Sequence, residues 1–130
     1  MKAKNLSSVW EAPDNTRLMR KQTSVRLATH IEARLSAICE IFPAKSKSQV
    51  INDLLAAALD DFADGFEFVP SKEKEREEDF EGETFYEIDC GMRRKFLNRA
   101  NEYLKQYEKE LGNDEPSFFN AYRSREVEVK

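Results

Sequence analysis

The stretch that most restricts the fold is KQTSVRLATHIEARL, residues 21–35, where one hydrophobic pattern changes into another. Up to Leu27, polar and apolar residues alternate, which is typical of a half-buried strand. From Thr29, apolar residues recur every three or four positions, which is typical of a helix. No partner strand follows nearby, and an unpaired strand exposes its amides and carbonyls. The pairing of this single strand therefore decides the fold.

Two helices are predicted directly after the strand. The first begins at Thr29, because residues 29–32 have the spacing of a capping box, and it ends before Pro43, which has no amide to donate. The second begins at a further capping box, Ser46 to Gln49, and ends near Gly65. Both helices carry a broad apolar face.

The strand and helices, residues 20–62, are too few to form a stable core alone. Chains of about 40 residues need a metal, disulfides or association to offset their conformational entropy. The two cysteines, Cys39 and Cys90, are far apart in the sequence and indicate reduced thiols rather than a disulfide or a zinc site. We therefore expect two copies to pair their strands antiparallel around a two-fold axis.

These segments resemble the ribbon-helix-helix superfamily of DNA-binding proteins, the Arc, MetJ and CopG type. The matching segments are TSVRL (23–27), HIEARLSAICEIF (30–42), KSKSQVI (45–51) and LLAAALDDF (54–62). The resemblance implies a mainly α fold with one strand and two helices per chain, in an intertwined dimer with an intermolecular antiparallel β-ribbon. Residues 20–65 would be the DNA-binding and dimerisation domain.

A two-stranded ribbon fits the major groove and can read base edges there. The side chains on the polar face of the strand are the predicted base readers: Gln22, Ser24 and Arg26. The start of the second helix offers amides and a positive dipole end to a backbone phosphate. The predicted phosphate ligands are Arg20, Lys21, Lys45, Ser46, Lys47 and Ser48.

The apolar positions of the same unit form the predicted dimer core. They lie on the other face of the strand and on the apolar faces of both helices. They are Thr23, Val25, Leu27, Ile31, Leu35, Ile38, Val50, Ile51, Leu54, Leu55 and Leu59.

The flanking regions are less regular. Residues 1–19 are predicted to be a flexible arm, and residues 66–130 an acidic α+β extension with short strands and a mobile tail. FEFV (66–69) and ETFYEID (83–89) alternate like strands, whereas SKEKEREEDFEGE (71–83) indicates a solvated loop or marginal helix. A long helix is predicted at about 91–111, closed by Gly112.

Charge separates the two ends of the chain. Residues 1–50 contain nine Lys and Arg and four acids, a net charge of +5, whereas residues 51–130 have a net charge of −9. This asymmetry indicates a basic binding end and an acidic body. No catalytic constellation, cofactor motif, metal-ligand set, secretory signal or membrane span is apparent. We expect a cytoplasmic protein that is not an enzyme.

The leading hypothesis is a homodimeric transcriptional regulator, a repressor that binds double-stranded DNA. Two dimers could assemble into a tetramer on the DNA site. One alternative is an antitoxin whose C-terminal half binds a toxin. Others are a DNA-architectural or conjugation accessory protein, or a dimerisation module without DNA affinity.

Overall fold

The structure, a computed structural model, describes residues 17–71, 75–79 and 82–127. Along the chain these form α1 (Thr29–Ile41), α2 (Lys47–Asp64), β1 (Glu75–Asp79), β2 (Gly82–Ile88), α3 (Met92–Glu110) and β3 (Ser124–Val127). The described part is thus mixed, with three helices and one small antiparallel sheet. The chain divides into two compact units, Met1–Phe62 and Ala63–Lys130. Most of the predicted N-terminal arm, residues 1–16, lies outside the described residues.

Helix α1 begins at Thr29 as predicted, but its cap differs from the prediction. The N-cap residue is Ala28, in extended conformation, and no side chain caps this end. The Ala28 carbonyl accepts hydrogen bonds from the amides of Ile31 and Glu32, both at 3.0 Å. The predicted capping box at residues 29–32 is therefore wrong, because Thr29 already occupies the first helical position. The helix ends at Ile41, ahead of Pro43 as predicted.

Helix α2 has the capping box predicted from its sequence. The Ser46 hydroxyl accepts a hydrogen bond from the Gln49 amide at 3.1 Å, and the Ser46 amide donates to Oε1 of Gln49 at 2.8 Å. Two backbone amides that lack intrahelical partners are satisfied in this way. The helix runs from Lys47 to Asp64 and stops just before Gly65, so both predicted ends are confirmed.

The core of the first unit lies between α1 and α2. Its buried members are Leu35 of α1 and Val50 and Ala57 of α2. Partly buried apolar side chains surround them: Leu27, Ile38, Cys39, Phe42, Ile51 and Leu54. Leu27 precedes α1, so the segment predicted as a strand already contacts the helix pair at its last apolar position.

The second unit contains a sheet with the strand order β1-β2-β3. β1 and β2 form an antiparallel hairpin in which Glu75 is paired with Tyr86 and Asp79 with Gly82. The strand predicted at residues 83–89 is confirmed as β2. The loop or helix predicted for residues 71–83 is wrong at residues 75–79, which form β1, and residues 72–74 and 80–81 of that prediction lie outside the described residues. β1 is at an edge of the three-stranded sheet, a position at which natural proteins often place charged residues.

The sequence-based expectations for the rest of the sheet also need correction. Residues 67–69 of FEFV belong to no strand, and only an isolated bridge pairs Pro70 with Asp89. The predicted mobile tail contains β3, which pairs antiparallel with β2 so that Ser124 is opposite Ile88 and Val127 opposite Phe85. Four residues are too short a run to reveal a strand without knowledge of its partner.

Helix α3 confirms the helix predicted at about 91–111. It ends in a Schellman motif: the Gly112 amide donates to the Lys109 carbonyl at 3.0 Å, and the Asn113 amide to the Glu108 carbonyl at 2.8 Å. Gly112 has a φ of 87°, a left-handed conformation in which a side chain is unfavourable. The glycine predicted to close the helix does so for this reason.

The segment after α3 is attached to that helix through its backbone. Asn101 accepts a hydrogen bond from the Phe119 amide at 2.8 Å, and its Nδ2 donates to the Phe119 carbonyl at 3.0 Å. One side chain thereby satisfies both backbone groups of Phe119. The position of this segment is set by a contact between residues 18 positions apart in the sequence.

Candidate nucleic-acid interface

The three predicted base readers lie in one exposed segment. Gln22, Ser24 and Arg26 are all exposed, and residues 22–28 belong to no helix or strand in this single chain. Val25, between two of the readers, is 73% exposed. A single chain provides no second ribbon strand, so the segment keeps its side chains and backbone open to a partner.

The start of α2 lies in the same unit, and some of its backbone amides have no acceptor within the helix. The first amides of a helix have no intrahelical acceptor. The amides of Gln49 and Val50 donate to Ser46, through its hydroxyl and its carbonyl. Within the described residues this leaves the amides of Lys47 and Ser48 directed out of the helix end, where the helix dipole favours an anion.

Lys45, one of the predicted phosphate ligands, is largely buried in the single chain. The residue lies in the turn between α1 and α2, and only 8% of it is exposed. Its amide donates to the Phe42 carbonyl at 3.3 Å, which holds the turn against the end of α1. Most of the Lys45 side chain is therefore buried in the single chain, and its role as a phosphate ligand stays a prediction.

Lys47 remains exposed, but it already has an anionic partner. Its ammonium group forms an ion pair with Oε1 of Glu32, in the first turn of α1. Both side chains are about half exposed. Sequence reasoning assigned Glu32 to a capping box and missed this contact, which joins residues 15 positions apart.

The remaining basic groups of this unit are peripheral. Arg20 and Lys21 are exposed ahead of the ribbon segment, where they can add attraction that is independent of sequence. Arg34 on α1 donates through Nε to the His30 carbonyl at 3.1 Å and lies 2.9 Å from the Nδ1 atom of His30. Both side chains are exposed and were not predicted to contact DNA.

The predicted dimer core separates into two groups in the single chain. Leu35 and Val50 are buried, and Leu27, Ile38, Ile51 and Leu54 pack around them. The rest are exposed, including Leu55 at 56% and Leu59 at 54%. The exposed members of the predicted core are Thr23, Val25, Ile31, Leu55 and Leu59. Ile41 and Phe62 are exposed as well. Leu55, Leu59 and Phe62 have the four- and three-residue spacing of one helix face, so α2 has an apolar face that is exposed in the single chain.

No helix among the described residues is both long and apolar enough to cross a membrane. No group of three or more His, Cys, Asp or Glu side chains is placed there to hold a metal ion. Cys39 is a partly buried free thiol of the core, and Cys90 is a free thiol at the surface.

Comparisons of the chain with protein-family models, with curated proteins and with solved structures found no match.

Proposed function

We propose that this protein is a sequence-specific DNA-binding regulator, a repressor whose dimer inserts a β-ribbon into the major groove. The ribbon consists of residues 22–27 from two chains, paired antiparallel in a ribbon-helix-helix fold. The observation that carries the proposal is the exposed state of this segment. It is followed directly by a helix pair in which the apolar face of α2 formed by Leu55, Leu59 and Phe62 is also exposed.

Association of two chains would resolve both features together. Pairing of the segments supplies hydrogen-bond partners for the backbone of residues 22–27. It also puts Val25 of both copies on the face of the ribbon opposite Gln22, Ser24 and Arg26, because successive side chains of a strand point to opposite faces. Leu27, which already packs against the helix core, lies on that same face. Gln22, Ser24 and Arg26 then lie together on the outer face, six polar side chains in all for two copies.

The amides at the start of α2 provide the second part of the proposed interface. Lys47 and Ser48 have open amides at the positive end of an 18-residue helix. Phosphate contacts of this kind position a protein on DNA, whereas base contacts determine the sequence it prefers. In this proposal the ribbon determines which DNA sequence is preferred, and the start of α2 positions the protein on the DNA backbone.

Selection of binding sites from random duplexes, followed by footprinting, tests this function. The full chain should select a site with two-fold symmetry, and Arg26→Ala should lose about 1–3 kcal/mol of binding free energy at one base position per half-site. Arg94→Ala is the matched control, because it removes an exposed arginine from the second unit. Equal binding by the Arg26→Ala and Arg94→Ala variants would show that the readers are misassigned.

A second candidate function is that of an antitoxin, and exposed aromatic side chains of the second unit favour it. Phe118, Phe119 and Tyr122 are each about half exposed, in the segment held by Asn101. Large exposed apolar side chains mark sites of protein association. Residues 63–130 have 12 basic and 18 acidic residues, which would suit a basic partner. The test is whether the protein co-purifies with a basic protein encoded beside it. The antitoxin function predicts that the Phe118→Ser variant loses this partner.

A further inference from the structure

The ion pair between Lys47 and Glu32 lies where the proposed interface needs a free cation. Lys47 is the first residue of α2, and its ammonium group contacts the Glu32 carboxylate of α1. Neither group is buried, so an anion from outside can reach this site. A DNA phosphate held by the open amides of Lys47 and Ser48 would therefore meet a carboxylate that already occupies the nearest ammonium group.

A carboxylate and a phosphate are competing anions for one lysine. If the carboxylate stays, the phosphate meets a neutralised lysine and a nearby like charge, both of which weaken its binding. If the carboxylate leaves, the phosphate can bind the ammonium group of Lys47, but the exposed ion pair with Glu32 is lost. Such exposed pairs contribute little to folding, so the exchange is available to the folded protein.

We propose that Glu32 is an internal competitor of DNA that occupies Lys47 in the free protein and is displaced when a phosphate binds at the start of α2. This inference rests on the proposed DNA-binding function. Glu32 would lower the affinity for every duplex by a similar factor, so that only a site with strong base contacts by the ribbon is occupied at a low protein concentration. Its role is to set the overall affinity, exerted through Lys47.

The alternative is that the pair only holds α1 against α2. The two roles differ in the effect of neutralising the carboxylate. A competitor that is removed leaves tighter DNA binding, whereas a purely structural partner that is removed leaves binding unchanged or weaker. They also differ in their dependence on Lys47, since a competitor acts only through that lysine.

The test is a titration of the full chain with a fluorescent duplex of random sequence, at several salt concentrations. Glu32→Gln should bind about threefold to tenfold more tightly than the wild type, for a dimer with two such pairs. Glu40→Gln is the matched control, since it removes an exposed carboxylate elsewhere on α1. It should change binding by less than about twofold, because distant exposed charges are screened.

Repeating both comparisons in a Lys47→Gln background separates competition from general repulsion. The gain from Glu32→Gln should disappear there, because no ammonium remains to be released. A gain that persists, a gain no larger than that of Glu40→Gln, or a loss of helical circular dichroism in Glu32→Gln would each overturn the inference. The proposed function itself fails if the wild type shows no salt-dependent affinity for duplex DNA. That result can be told apart from the three outcomes that would overturn the inference about Glu32.

Discussion

Asp89 and Arg123 form a partly buried ion pair in the second unit, in which Oδ2 of Asp89 lies 2.6 Å from Nη2 and 3.0 Å from Nε of Arg123. The other carboxylate oxygen accepts hydrogen bonds from the amides of Val69 at 3.1 Å and Gly91 at 2.9 Å. Arg123 also donates to the Phe66 carbonyl at 3.0 Å. One carboxylate thus connects the chain before β1, the start of α3 and the approach to β3.

Replacement of Asp89 by asparagine is expected to destabilise this unit. The residue is only 1% exposed, and the substitution leaves the guanidinium without its anion. Removal of one partner from a buried ion pair costs about 3–5 kcal/mol, and we expect the lower end because Arg123 keeps part of its side chain exposed. Urea denaturation measures the loss.

The matched control for Asp89→Asn is Glu87→Gln. It breaks the neighbouring pair of Glu87 with Arg125, in which the Arg125 side chain is 53% exposed and the Glu87 side chain 20%. An exposed pair contributes about 0–1 kcal/mol, so this variant should remain close to wild type. Equal losses in the two variants would contradict the anchoring role of Asp89.

The same carboxylate should make the second unit sensitive to acid. Burial by itself raises the pKa of Asp89, but hydrogen bonds from Gly91, Val69 and Arg123 outweigh it and hold the pKa below its ordinary value of 3.8. A lowered pKa in the folded state stabilises the protein above the ordinary value, and that contribution is lost as the pH falls through the folded-state pKa.

Unfolding free energies measured from about pH 5 to about pH 3 check this expectation. The wild type should lose stability over that range, and Asp89→Asn should lose less because it has no carboxylate to protonate. Parallel pH profiles for the two proteins would show that other acids dominate the transition.

The two helix starts of the first unit should respond differently to loss of a hydroxyl. Ser46→Ala removes the oxygen that accepts the Gln49 amide and should cost about 1 kcal/mol of unfolding free energy. Thr29→Ala should cost far less, because Ala28 is the N-cap residue and no side chain caps α1. Thermal or urea denaturation of both variants provides the comparison, and a larger loss in Thr29→Ala would reverse the assignment of caps.

The exposed apolar face of α2 should mediate self-association. Leu59→Lys places a charge on that face and should weaken the dimer about tenfold or more, because a buried unpaired charge is costly. Met92→Lys is the control, a substitution at an equally exposed apolar residue of the second unit. Sedimentation equilibrium measures both. A Leu59→Lys protein that associates like the wild type would exclude this face as the dimer surface.

The accuracy of the sequence-based predictions depended on how local the deciding interactions are. The stop at Pro43, the box from Ser46 to Gln49 and the closure at Gly112 involve residues within one turn of each other, and all three are confirmed. The box at residues 29–32 was wrong because capping also depends on the conformation of the preceding residue, Ala28. That conformation is not encoded in the spacing of the motif.

The strands were harder to predict for a related reason. β2 has an alternating sequence and was predicted, but all five residues of β1 are charged and β3 has only four residues. Both are strands because β2 offers them hydrogen bonds from either side. Strand formation depends on a partner, whereas a helix satisfies its own backbone.

The amino-acid sequence by itself determined the three helices, their ends and the basic, alternating segment before the first of them, because these features arise from neighbours in the chain. Only the tertiary structure decided that Lys45 is buried, that Glu32 occupies Lys47 and that Asp89 joins Arg123. These contacts form when the folded chain brings distant residues together, and burial then determines which charges need a partner. No pattern of spacing along the chain contains that information.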